Sequence, residues 1–389
     1  MPKPTFKSFI GVAKEIGRTV LAAPVAAGAT AITLIDPTGF TATSKITIYD
    51  EAGRTVSITP TALTGSVLTV PALVYSYNAG VLITTLGTAS TGPTDYIPVL
   101  TIAPVDNSDL LDDTAWRGSQ VEMYDTVLGV RTGGLDLSGN LHPDTYGYVL
   151  GCLLGDVQFT AASPNTHAFS VKNSGDGQPV SYQITDFNGI EARQYGGVQF
   201  SESGLKFDSK GFITWTSKAM AYASGIVSTP APSYSAISAV AAWNTTVTIA
   251  GVTTANVESL ELTIKRGVEA IQTLDGGRDP LRMWSGPAAI EGKADFVMDD
   301  DTELNRYLTN SQPTFVVTAN VGSGASQVGI TVQLSKANYK SAVIDRGKGY
   351  VVLKADVRGL GNTTDAGPSG GYSPGKITLR NAKPTGTFV

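Results

Sequence analysis

The chain has 389 residues, 28 Lys and Arg against 33 Asp and Glu, and a formal net charge of −5. No block of clustered basic residues is present, which excludes the phosphate-neutralising surface of a tight DNA or RNA binder. The single cysteine, Cys152, excludes a disulfide framework within the chain, and no window reaches the ~18 consecutive apolar residues of a membrane helix. Charged residues make up 16%, against about 25% in ordinary soluble domains. That leaves two readings open, a surface largely covered by partners or simply a Gly- and Thr-rich β protein. Short alternating runs of β-branched residues and 43 glycines point to an all-β fold, and the length to two or three domains.

In chain order, Lys3 and Lys7 precede no apolar run long enough for a signal peptide before Lys14 and Glu15, so the expectation is a protein that stays in the cytoplasm where it is made. Residues 20–89 read as a compact inserted β module. Its strands are expected at Ala31–Ile35, Lys45–Tyr49, Thr55–Thr59 and Val67–Val70, with turns at Pro37-Thr38-Gly39, Glu51-Ala52-Gly53 and Thr64-Gly65-Ser66. Four or five such strands can close a small sandwich or barrel. The alternative, that they belong to the core sheet, stays open. The linker Thr88–Asp95 leads back to the core, assigned to residues 1–19 and 90–360.

Core strands are expected at Ile97–Ile102, Ser119–Tyr124, Val127–Leu137, Ala168–Lys172, Val180–Asp186, Ile190–Phe207, Gly211–Ala223, Thr246–Ile249, Val257–Val268, Ile290–Met298, Thr314–Ala319, Gln327–Leu334 and Tyr350–Arg358. A short helix stands out between Leu135 and Gly155. Pro143 suits its first turn, Asp144 its positive end, and Tyr146, Val149, Leu150, Leu153 and Leu154 recur at helical spacing until Gly155 stops it. One apolar face is expected to dock on a sheet. A second helix follows Asp300, with Asp300 and Glu303 as a capping box and Leu304, Tyr307 and Leu308 as its apolar face. Residues 361–389 turn to Gly, Pro, Ser and Thr and read as an extended arm with one strand, Lys376–Arg380, draped on an adjacent subunit or ring; a disordered tail is the alternative.

Catalytic constellations fail on inspection. His142 and His167, read as loop residues, cannot build a zinc site with one cysteine, and Cys152 reads as a small buried hydrophobe. Asp299, Asp300, Asp301 and Glu303 lack the alternating oxygen ligands and central glycine of a calcium loop. Gly367-Pro368-Ser369-Gly370-Gly371 matches a nucleophile elbow in letters but has no strand before it or helix after it. No catalytic, cofactor-binding or metal residue is assigned, and the expectation is no enzyme and no cofactor.

Phe6–Gly17, Asp112–Val130, Leu135–Gly155, Gly177–Phe207, Asn256–Gly276 and Ile290–Leu308 occur together in an order that resembles the major tail tube protein of long, non-contractile-tailed bacteriophages. The resemblance implies a mainly β protein: a tail-tube β-sandwich or barrel core with one or two short helices, plus the inserted module. It implies hexameric rings whose core sheets join edge to edge around a lumen, stacked into a tube through which double-stranded DNA leaves the capsid. It further implies tail tip, tape-measure and tail terminator proteins as partners, no membrane, and a place in the virion tail after assembly in the host cytoplasm. An acidic chain would line the lumen so that DNA slides without being held. Asp106–Arg117 falls where that family has a long loop reaching a neighbouring ring. Its assembly candidates are the anchors Leu110, Leu111 and Trp116 and the charges Asp109, Asp112, Asp113 and Arg117; the alternative is that Trp116 folds back on its own sheet. A rival class is a fibre-like tail protein whose β module binds carbohydrate through Tyr49, Tyr75 and Tyr77.

Overall fold

The structure is a computed structural model that describes residues 7–88, 92–274 and 277–389. Expectations placed on Lys3 and Phe6, on residues 89–91 of the linker, and on Asp275 and Gly276 lie outside the described residues. The chain opens with β1 (Phe9–Lys14) and β2 (Gly17–Val20), followed by β3 (Ala31–Thr33), β4 (Ser44–Tyr49), β5 (Thr55–Ile58), β6 (Ala62–Thr64), β7 (Val67–Thr69) and β8 (Leu82–Thr88). β2, β8, β4 and β5 form a four-stranded sheet and β3, β7 and β6 a three-stranded one. Leu21, Ile32, Phe40, Ile46, Ile48, Leu68, Tyr77 and Ile83 from these sheets and their connections form an apolar cluster of their own. The expected turn at Gly39 is needed there: its φ is 84°, and a Cβ would stand 2.2 Å from the Ile16 carbonyl.

After β9 (Asp95–Ile97) come β10 (Thr101–Asp113), β11 (Asp125–Asn140), helix α1 (Tyr146–Leu154), β12 (Gly155–Thr160), β13 (Asn165–Val171), β14 (Tyr182–Phe187), β15 (Ala192–Asp208), β16 (Thr214–Ala221) and β17 (Gly225–Val227). The chain continues through β18 (Thr245–Ile249), β19 (Val252–Thr254), β20 (Val257–Ile271), β21 (Arg282–Val297), helix α2 (Thr302–Leu308), β22 (Phe315–Val321), β23 (Val328–Leu334), β24 (Ala337–Asp345), β25 (Val352–Gly359) and β26 (Lys376–Asn381). The large sheet runs β10-β11-β16-β15-β20-β21-β25-β24, with β14, β1, β9 and β17 attached beside β15. The second main sheet runs β12-β13-β26-β23-β22-β18-β19.

Both sheets and α1 share one core. Alternation delivers Leu135, Leu137, Leu205, Trp215, Leu260, Leu262 and Ile264 from the large sheet, and Phe169, Phe315, Val317, Ile330, Val332, Ile377 and Leu379 from the smaller one. α1 packs against β15 and β20 of the first and β12 and β13 of the second. All nine of its residues are buried, so the expected single docking face is corrected to burial on every side, as for a helix apolar all round. Gly155 ends it in the left-handed region at φ 82°.

Several local expectations change. Asp144 does not act from the cap; its carboxylate is buried and accepts hydrogen bonds from the Ser235 hydroxyl at 2.5 Å and the Ala382 N–H at 3.1 Å. The expected α2 capping box is not made: the cap is Asp301, without a side-chain cap bond, Asp300 accepts the Thr302 N–H at 2.8 Å from one residue earlier, and Glu303 turns to Arg306 at 2.5 Å and to the Tyr339 hydroxyl. Leu304 and Tyr307 meet the core, but Leu308 is exposed. His167 is a strand residue of β13, buried, with Nε2 at 3.0 Å from the Lys383 carbonyl; burial lowers its pKa.

The C-terminal segment is the largest correction. β26 pairs with β13 on one side and β23 on the other, so it fills the middle of its own chain's sheet rather than draping on a neighbour. The Gly- and Ser-rich approach to it is held by buried Asp365, which accepts from the Ser335 N–H at 2.8 Å, the Ser335 hydroxyl at 2.7 Å, Gln333 at 3.0 Å and Asn362 at 2.9 Å. A tail composition is thereby tied down by one carboxylate satisfied on both oxygens.

Candidate assembly surfaces

Thr101–Asp113 and Asp125–Asn140 pair along their lengths, so the expected loop is corrected to a hairpin arm, and the expected strand Ser119–Tyr124 is part of its irregular tip. Asp-rich sequence reads as loop because aspartate has low strand propensity; the ladder to β11 overrides it here. All seven candidates lie together on the distal part of this arm. Leu110 stands opposite Leu128 and Leu111 opposite Val127, and both leucines are about 60% exposed. Trp116 is 99% exposed and does not fold back on its own sheet.

The charges stiffen the arm without covering it. Asp113 pairs with Arg117 and accepts the Ala115 N–H at 3.0 Å, and the Arg117 guanidinium sits 4.9 Å from the Tyr124 ring. Asp112 accepts from the Thr126 hydroxyl at 3.1 Å, and Asp109 from the Asn107 amide at 3.4 Å. The base is clamped by groups that sequence reasoning missed. Arg131 of β11 makes a buried two-pronged pair with Asp279, at 2.6 and 2.7 Å, and donates to the Glu51 carbonyl at 3.1 Å. Burial pushes the Asp279 carboxyl up, and the Arg131 guanidinium pulls it back. Arg278 donates to the Gly129 carbonyl and the Ser108 hydroxyl, each at 2.6 Å, and Asp106 accepts from the Ser224 N–H at 2.7 Å. No local pattern could have announced a pair 148 residues apart.

The uncovered face of the large sheet carries a second organised surface. Cross-strand neighbours there alternate in sign: Asp136 with Lys218, Lys218 with Glu202, Glu202 with Lys265, Lys206 with Glu261, Glu261 with Lys293, Lys293 with Asp356, Asp295 with Lys354 and Glu291 with Arg358. Lys265 Nζ stands 3.0 Å from Glu291, and each holds the other in its charged form. A shallow depression of about 380 Å³ lies over Glu202, Glu261, Lys265, Glu291 and Lys293.

The aromatic trio of the N-terminal strands is not a carbohydrate face. Tyr49 and Tyr77 are buried, the Tyr49 hydroxyl accepting from Gln194 at 2.8 Å, and Tyr75 is half-buried under the Arg54 guanidinium, 3.8 Å from its ring centroid.

A protein-family model described as phage tail tube protein matches residues 76–359. The chain belongs to the phage tail tube protein family. No curated protein matches it. The tail tube protein is therefore a structural, non-enzymatic component of the virion tail. The match takes in β8, both main sheets apart from β1 and β26, and the whole arm. Ser369, the serine of the elbow-like run, gives its hydroxyl to Asp156 at 2.7 Å, and buried Cys152 has its thiol pushed up to about 12 by desolvation. Neither is poised as a nucleophile.

Proposed function

We propose that this protein self-assembles into closed rings that stack into the tail tube, through which DNA passes from capsid to host cell. The observation that carries the reading is the β10–β11 arm, which presents Leu110, Leu111, Trp116, Val127 and Leu128 with no cover from its own chain. Leu110 and Leu128 share one face of the arm and Leu111 and Val127 the other, and uncovered apolar groups gathered on one hairpin mark a partner surface. Because the arm leaves the sheet at one end, it suits a head-to-tail contact, the type that propagates a polymer. The strands that end the eight-strand path of the large sheet, β10 and β24, whose outer edges are unpaired among the described residues, supply the ring contacts.

The charge lattice suits passage of DNA. Opposite charges compensate each other locally and leave no basic track for phosphates, so a charge-balanced lumen replaces the acidic one expected from net charge. The module of residues 20–89, with its own apolar cluster, decorates the ring. Tail tip, tape-measure and terminator proteins are the partners that start, measure and end the polymer. The test is electron microscopy of the concentrated protein, where hollow tubes or rings are expected. Monomers that still fail to polymerise when supplied with a tail tip complex would overturn the reading.

A further inference from the structure

The large sheet contains one motif twice. β10-β11-β16-β15 and β20-β21-β25-β24 share a strand order, a long hairpin followed by the fourth and then the third strand. In each half the hairpin leads into a short helix, α1 or α2, and then into a hairpin of the smaller sheet, β12–β13 or β22–β23. The irregularities repeat too. Register slips between Ser108 and Leu110 in the first long hairpin and between Arg266 and Val268 in the second. β15 bulges between Phe200 and Glu202 against β16, and β24 between Tyr339 and Ser341 against β25. Bulges are specific features of a strand pair, and two falling at matched places identify two copies of one unit.

Inside the chain the units meet where β15 pairs with β20, setting Glu202 opposite Lys265, Gly204 opposite Thr263 and Lys206 opposite Glu261. The equivalent edges, β24 and β10, end the sheet. They run in opposite directions, because the strands alternate across this path, so β10 of a second copy continues the antiparallel order on β24. Transferring the internal register through the matched bulges puts Ser341 opposite Asn107, Val343 opposite Val105 and Asp345 opposite Ala103. Val343 and Val105 are 61% and 56% exposed in the single chain and would cover each other. Pro104, without an N–H, limits indiscriminate pairing at the same edge.

We infer that β24 of one copy joins β10 of the next in this register, repeating between chains the seam already made within one, and that three chains close the ring. The inference rests on the tube reading. Barrel geometry sets the number. Two, three or six chains give 16, 24 or 48 strands from this eight-strand path, and with strands about 4.8 Å apart and tilted about 40° the backbone cylinders are about 32, 48 and 96 Å across. Allowing about 5 Å of side chain on each wall leaves bores of about 22, 38 and 86 Å. A duplex is about 20 Å across. Two chains leave no room for its water and ions, and six leave a bore about four times its width. Three chains thus provide the sixfold set of units that the resemblance had assigned to six subunits.

The test is a cysteine pair, Val343→Cys with Val105→Cys, in assembled tubes treated with a short bifunctional thiol reagent; Cys152 is buried out of reach. A covalent band that closes at three chains is expected, with none from either single variant and far less from Val343→Cys with Ala103→Cys. Imaging of wild-type tubes should show threefold symmetry with a pseudo-sixfold wall. Intact tubes without the cross-link, or a ladder closing at six, would overturn the inference and leave the tube reading standing. Failure to form tubes even with a tail tip complex strikes the tube reading itself.

Discussion

Replacing Phe388 with alanine tests whether the C-terminal segment belongs to the core of its own chain. The Phe388 ring is 1% exposed, with centroids 4.9 Å from His167, 5.2 Å from Tyr148 and 5.7 Å from Phe169. It lies over Gly147 of α1, where a Cβ would come within 2.5 Å of it. Removing a ring from so enclosed a site costs about 3–5 kcal/mol. Set against an unfolding entropy of about 2 cal/mol/K per residue over 389 residues, this lowers Tm by about 4–6 °C. Thermal and urea unfolding of the monomer followed by circular dichroism would read it, with the urea midpoint falling at constant slope. A Tm within a degree of wild type, together with lost tube growth, would refute the reasoning and restore an arm that acts only on a neighbour.

Trp116→Ala should leave monomer stability unchanged, since the side chain touches little of its own chain, yet raise the critical concentration for tube growth about 30- to 100-fold, equivalent to about 2–3 kcal/mol. Sedimentation of polymer measures it, and unaltered growth would remove the arm from the interface. Arg131→Met leaves Asp279 charged and buried, at a cost of about 3–5 kcal/mol, while Arg131→Met with Asp279→Leu should recover most of that in urea titrations; a double variant as weak as the single one contradicts this account of the clamp. Burial lifts Asp186 from 3.8 to about 6. Between those values the folded chain keeps a proton that the unfolded chain has released, so stability falls as pH rises through this window. Asp186→Asn should therefore stabilise at pH 7, by about 1–2 kcal/mol after discounting for solvent screening, with the gain gone by pH 4. A gain equal at both pH values would assign the effect to something other than the proton.

How far the fold was legible depended on whether its signal was local. Pro143 and Gly155 bracket α1 in the sequence as they do in space, and the turns at Gly39, Gly53 and Gly65 all carry positive φ. β24 escaped notice because its bulge at Lys340 shifts the alternation by one residue midway, which destroys the period on which strand recognition relies. Tyr49 and Tyr77 could be read as an open face because alternation says that residues share a side, not whether that side is covered. The candidate residues were identifiable one by one as large apolar groups among aspartates. Their union on a single hairpin, and its clamp by Arg131, Asp279 and Arg278, depends on pairings made far along the chain. The doubling of the large sheet shows in strand order and bulges, which leave little trace in residue identity.

The position of β26 governs when folding can finish. It lies between β13, about two hundred residues earlier, and β23, so the smaller sheet stays split until β26 has been made and inserted. Contacts of such separation form late and slowly. A chain cut before Lys376 lacks both this strand and Phe388, and so cannot complete the body that carries the arm and the sheet edges. On the assembly proposed above, only chains that carry β26 become competent to join, and a subunit without it is excluded before it can interrupt the wall.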